Sequence, residues 1–184
     1  VAIGESAMLS VNSSSISEKN IAIGRLSLTG GTGAVVANIA IGHLALVTTG
    51  SNAQTGTIAI GHQALTALTS GGQNLAIGYD ATASASGNLR NTFIGWQVAN
   101  NSNNAGVDDN VCIGYDAMGN SSTAVAAENV FIGKSSGAGS WGGTGRYNVA
   151  VGMNSMLGVI NGAEYNVALG HTAMTALTSG THNT

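Results

Sequence analysis

Apolar residues return along this chain in pairs two places apart, and a glycine follows each pair at once. Counting back from that glycine, the third residue is Val1, Ile21, Ile39, Ile58, Leu75, Thr92, Val111, Val130, Val149 or Val167. The residue just before it is Ile3, Ile23, Ile41, Ile60, Ile77, Ile94, Ile113, Ile132, Val151 or Leu169. Positions two apart share one face of a strand, and β-branched residues suit a pleated surface, so each pair predicts a short strand. Between the two stands Ala in seven repeats and Phe93, Cys112 or Phe131 in the others, which makes the strand apolar on both faces. The glycines are Gly4, Gly24, Gly42, Gly61, Gly78, Gly95, Gly114, Gly133, Gly152 and Gly170, spaced 17 to 20 residues apart. So short and sustained a period predicts an all-β parallel solenoid of about ten coils, in which no repeat buries a core alone and stacking supplies one.

The rest of the coil is read from the same origin. Three places after the glycine the residue is small in all repeats but one, where it is Val98, and Leu or Met follows in most, as at Leu28, Leu46, Leu65 and Met118. This predicts a second short strand packing back on the first. A Gly/Ser/Thr/Asn stretch of variable length then returns the chain and absorbs the variation in period. An asparagine opens eight of the nine complete phrases: Asn20, Asn38, Asn74, Asn91, Asn110, Asn129, Asn148 and Asn166, with Thr57 the exception. Stacked coils set these amides about 4.8 Å apart, close enough to bond as a ladder, a structural role rather than a binding one. A coil this thin leaves one strand face for a neighbour. Three identical columns about an axis would hide it, and the small residues are expected there, where they let backbones approach.

Composition changes the picture in two places. Charged residues are only 7% of the 184 and proline is absent, so polar amides and hydroxyls must wet the surface in place of ions. Regular Ile and Val positions separate the chain from a disordered Gly/Ser linker. A net charge of −3 with five scattered basic residues offers no nucleic-acid patch, and no apolar run reaches the ~18 residues of a membrane helix. Cys112 alone cannot form an intrachain disulfide. Residues 1–184 read as one array, and both ends fall inside the repeat, as expected of a segment of a longer fibre.

The phrases His62-Gln63-Ala64-Leu65-Thr66-Ala67-Leu68-Thr69-Ser70-Gly71 and His171-Thr172-Ala173-Met174-Thr175-Ala176-Leu177-Thr178-Ser179-Gly180 carry a resemblance. With Asn-Val/Ile-Ala-Ile-Gly before them, they resemble shaft repeats of bacteriophage tail fibres and tail spikes. The Val-Ala-Ile-Gly core is also similar to the head repeat of bacterial trimeric autotransporter adhesins, a left-handed parallel β-roll wound as a homotrimer. The adhesin repeat is shorter and stricter, which favours the phage fibre. The resemblance implies a left-handed trimeric coil, a partner that is the chain itself, a virion-tail location (or a bacterial surface), no membrane insertion and no enzyme activity. It also allows the rarer case of a polysaccharide-degrading tailspike.

Candidate chemistry collects directly after the glycine, where the residue varies. His43, His62, Tyr79, Trp96 and Tyr115 stand there in five consecutive repeats. In register they form a file of rings with apolar faces and polar tips, suited to a host-surface glycan. The same file could simply cover the bend and stabilise the stack. No carboxylate or thiolate of that column stands beside His43 and His62, so neither a metal nor any other cofactor is expected. Asp80 and Asp116 share the position two after glycine, two coils apart and so about 9–10 Å, at the wide limit for an inverting glycosidase pair. Without a cleft they name no catalytic residue. Gly137-Ala138-Gly139-Ser140-Trp141-Gly142 matches GxGxxG but opens no helix, so it reads as a return loop. Asn12-Ser13-Ser14 and Asn120-Ser121-Ser122 match the glycosylation sequon, as Ser-rich loops do by chance.

Overall fold

The computed structural model describes residues 1–9, 17–31, 33–47, 53–82, 86–102, 106–121, 125–158 and 160–184. The segments ahead of the repeat glycines form one ten-stranded sheet. Its strands are Ala2–Ile3, Ile21–Ile23, Ile39–Ile41, Ile58–Ile60, Leu75–Ile77, Thr92–Ile94, Val111–Ile113, Val130–Ile132, Val149–Val151 and Val167–Leu169, adjacent in that order. Every pairing is parallel and joins like positions: Ile39 to Ile58, Ala76 to Phe93, Cys112 to Phe131. The chain is therefore a parallel β-solenoid, one rung per repeat, with rungs about 4.8 Å apart. Among the described residues there is no helix.

The face assignment is reversed from expectation. The small residue at the middle of each strand lies inside the coil: Ala22, Ala40, Ala59, Ala76 and Ala150 are fully buried, as are Phe93, Cys112 and Phe131. The β-branched residues on either side of it are half-buried and point outward through the middle of the sheet. A three-residue strand turns its central side chain one way and its outer two the other. The narrow interior has room for the single small one.

What fills the interior opposite that column is the residue four after glycine, and the two exchange volume. Where the strand centre is alanine the buried partner is Leu28, Leu46, Leu65 or Met156, with Thr82 in the Ala76 rung the exception. Where it is Phe93 the partner shrinks to Ala99, and where it is Phe131 the partner is Gly137. A Cβ on Gly137 would stand 2.7 Å from the Phe131 ring. Trp141 enters beside that ring, edge-on at 5.8 Å between centroids, its Nε1 donating to the Gly137 carbonyl at 2.9 Å. Interiors are packed to near-crystal density, so an enlarged side chain requires a reduced one across the coil.

The segment after the glycine is not the expected second strand. It is a run of turn in which the second and fourth residues adopt positive φ, near 56° at Leu26 and 50° at Leu28. Alternating the backbone this way aims successive N–H groups at opposite neighbours. Leu26 donates to Glu5 in the rung before, and Leu28 to Ala45 in the rung after, both at 2.9 Å. These bonds between rungs offset the roughly 1–2 kcal/mol that a left-handed residue costs.

The return stretch contains a second parallel arrangement that the repeat pattern does not announce. Val107–Asp108, Ala126–Ala127, Gly145–Arg146, Ala163–Glu164 and Gly180–Thr181 form a five-stranded sheet, and Val35–Val36 pairs with Gln54–Thr55. The bridges Gly72 to Leu89 and Leu89 to Asp108 extend the pairing between the two groups. Here the first residue faces inward, and its identity ranges from Val35 and Gln54 to Gly145. No single residue type marks the column.

A corner in left-handed conformation follows, occupied by Arg90, Asp109 and Glu128 among others, with φ near 56–59°. After it comes the asparagine ladder, buried along its length. The Asn91 carboxamide oxygen accepts from the Asn110 backbone N–H at 2.9 Å and from its Nδ2 at 3.0 Å, and the pattern repeats from Asn110 to Asn129 and onward. The Nδ2 groups also donate across the coil to the second arrangement, as Asn129 does to the Gly145 carbonyl. At Thr57 the ladder is interrupted. The Thr57 hydroxyl and both side-chain amide atoms of Gln54, in the same rung, are buried there without a hydrogen-bond partner.

Candidate functional site

Two files of exposed side chains border the outward Ile/Val face. One follows the glycines; the other lies on the left-handed corner just before the asparagines. The glycine makes the first possible. Gly114 has φ +136°, and a Cβ there would stand 2.6 Å from the Gly133 carbonyl oxygen, so neither the backbone conformation nor the rung spacing admits a side chain. The next residue swings out at the rim.

On this forward rim the predicted aromatic file is present and in register. His43 and His62 have centroids 5.2 Å apart, and His62 stacks on Tyr79 at 4.8 Å with a 9° interplanar angle. Tyr79 meets Trp96 edge-on at 6.1 Å, and Trp96 meets Tyr115 at 5.4 Å. Charged groups extend the file at both ends: Glu5 pairs with Arg25 at 3.2 Å, Arg25 reaches His43 Nε2 at 3.2 Å, and Lys134 Nζ lies 5.8 Å from the Tyr115 ring. Tyr79, Trp96 and Tyr115 keep 50%, 56% and 42% of their surface exposed, so half of each ring contacts its own column and half remains open.

The trailing rim went unnoticed in the sequence. Its residues stand five places before each glycine: Lys19, Ala37, Gly56, Gln73, Arg90, Asp109, Glu128, Tyr147 and Tyr165, with His182 continuing the column. Arg90 forms a two-point contact with Asp109, at 2.7 and 2.8 Å. That guanidinium holds the Asp109 carboxyl below its usual range. Hydrogen bonding between Tyr147 and the Glu128 carboxylate raises the phenol above its usual range. Tyr147, Tyr165 and His182 then stack at 4.7 and 4.9 Å. What this column conserves is a backbone conformation rather than a residue type, so only its fixed offset from glycine could have disclosed it.

The remaining candidates separate from these rims. Among the described residues no three His, Cys, Asp or Glu side chains gather as a metal site. Asp80 lies 3.8 Å from His62 Nδ1, and burial raises the Asp116 carboxyl. A shallow notch of about 300 Å³ lies elsewhere, over Thr55, Gly71, Gly72 and Leu89, and no carboxylate lines it. The GxGxxG stretch is a return loop anchored by Trp141. Cys112 is buried in the strand-centre column with Sγ 3.7 Å from Met118 Sδ, and desolvation pushes its thiol far above the usual range. The sequon at Asn12 and the last residue of the one at Asn120 fall outside the described residues. No described helix is long and apolar enough to cross a membrane.

Between the rims, the outward face is two residues wide and ten rungs long, apolar throughout except at Thr92. By strand spacing it runs about 43 Å, longer than the isolated apolar patches normal on a monomer. No protein-family model, curated protein or solved structure matches the chain.

Proposed function

We propose that the chain is a shaft segment of a homotrimeric extracellular fibre, of the bacteriophage tail-fibre or tail-spike kind, and that its coil is left-handed. Its work is mechanical: a stiff spacer that presents host-receptor-binding elements away from the particle. The observation that carries this reading is the outward face, Ile or Val from Ile21 and Ile23 through Val149 and Val151 except at Leu75 and Thr92. A lone column would leave that face in water, at a cost of roughly 25 cal/mol for each Å² left uncovered. Three columns about a common axis would cover it with like residues. The Val-Ala-Ile-Gly core, as at Val1-Ala2-Ile3-Gly4, keeps a second reading alongside, the head of a bacterial trimeric adhesin. A secretion signal and membrane anchor in the full-length protein would distinguish that case. Sedimentation equilibrium of the folded protein tests the assembly: a trimer is expected, and a folded monomer would overturn it.

A further inference from the structure

The two rims carry one charge each that its own chain leaves without an ionic partner. Of the charged residues on the rims, Lys19 pairs with Glu18, Arg25 with Glu5 and Arg90 with Asp109. That leaves Glu128 on the trailing rim and Lys134 on the forward rim, neither in an ion pair among the described residues. They belong to the same rung, at opposite ends of the segment that contains the strand Val130–Ile132. The strand stands between them and the six residues span at most roughly 20 Å, which keeps the two side chains at opposite edges of their own column.

Symmetry supplies the meeting. If identical columns run parallel around an axis and bury their Ile/Val faces, the trailing rim of each lies beside the forward rim of the next, rung level with rung. An antiparallel pair would instead set each rim against its own kind. We propose that a second copy of this chain, parallel and in register, docks at these rims, with Glu128 of each subunit forming an ion pair with Lys134 of its neighbour. This rests on the assembly proposed above and assigns its seams. The neighbouring rungs fit the same junction. Arg90 already gives its N–H groups to Asp109, and the flat face of its guanidinium can lie against Trp96 of the next subunit. Asp109 is level with Tyr115, a carboxylate facing a phenolic donor. On this assignment the exposed halves of Trp96 and Tyr115 face a seam between subunits.

Charge exchange tests the contact. Glu128→Lys and Lys134→Glu should each weaken the trimer about tenfold at low salt, summed over three seams, and the double exchange should restore it. Far-ultraviolet circular dichroism confirms that each variant keeps its β-structure. As a second measurement, the chain carrying both Glu128→Cys and Lys134→Cys should oxidise to covalently linked subunits, while either single variant should not. A monomeric parent protein overturns the assembly itself. A trimeric parent that ignores both exchanges and forms no cross-link in the double-cysteine chain overturns the seam alone, as would cross-linking of either single variant.

Discussion

Asn110 takes part in two rungs of the ladder and ties them to the far side of the coil. Its Nδ2 donates to Asn91 Oδ1 at 3.0 Å and to the Ala126 carbonyl at 2.7 Å, while its Oδ1 accepts from both nitrogens of Asn129. Asn110→Ala removes these bonds and strands buried donors on Asn129, so a loss of about 2–4 kcal/mol is expected in urea denaturation. Thr57→Asn is the converse. A carboxamide there would supply the oxygen that the ladder lacks below Asn74, and a gain of about 1 kcal/mol is expected by the same measurement. Gly114→Ala should be worse than either loss. Its φ of +136° and the Gly133 carbonyl oxygen 2.6 Å from the new Cβ together predict about 3 kcal/mol or more, read as a fall in melting temperature.

At the level of one coil, stability depends on the pair of inward residues acting together. Phe93→Ala alone should leave a cavity and cost about 3–5 kcal/mol, and Ala99→Leu alone should overfill the coil and cost about 1–3 kcal/mol. Combined, they recreate the Ala/Leu pairing of the rungs at Ala40 and Leu46, so the double variant should be more stable than the sum of the singles implies. A double-mutant cycle by denaturant titration measures that coupling. The size exchange was visible in the sequence as Phe93 with Ala99 and Phe131 with Gly137, but only once the two columns are known to face each other. Alternation alone says that a strand has two faces; it does not say which is inside.

For the whole molecule, the outward Ile/Val face separates folding from assembly. A charge at its centre has little effect on the stacked hydrogen bonds of one column but cannot be buried against two others without a partner. Ile94→Asp is therefore expected to retain the circular dichroism of the parent and to sediment as a monomer. Loss of structure and assembly together would mean that the column does not stand alone. Positions on the return loops away from both rims, such as exposed Ser140, should have no effect on association state.

The sequence by itself determined the period, the parallel in-register stacking, the glycine bend, the asparagine ladder and the forward file from His43 to Tyr115. Each follows from a residue type that recurs at one fixed offset, and stacking turns such an offset into a column in space. Tertiary structure decided which strand face is interior, that the post-glycine segment is a left-handed turn run, and that the return stretch forms further parallel pairings. It also placed a trailing rim opposite the forward one. These depend on the closure of the coil, which weighs side-chain volume across the interior and the direction of each N–H between rungs, and neither quantity is periodic in residue type.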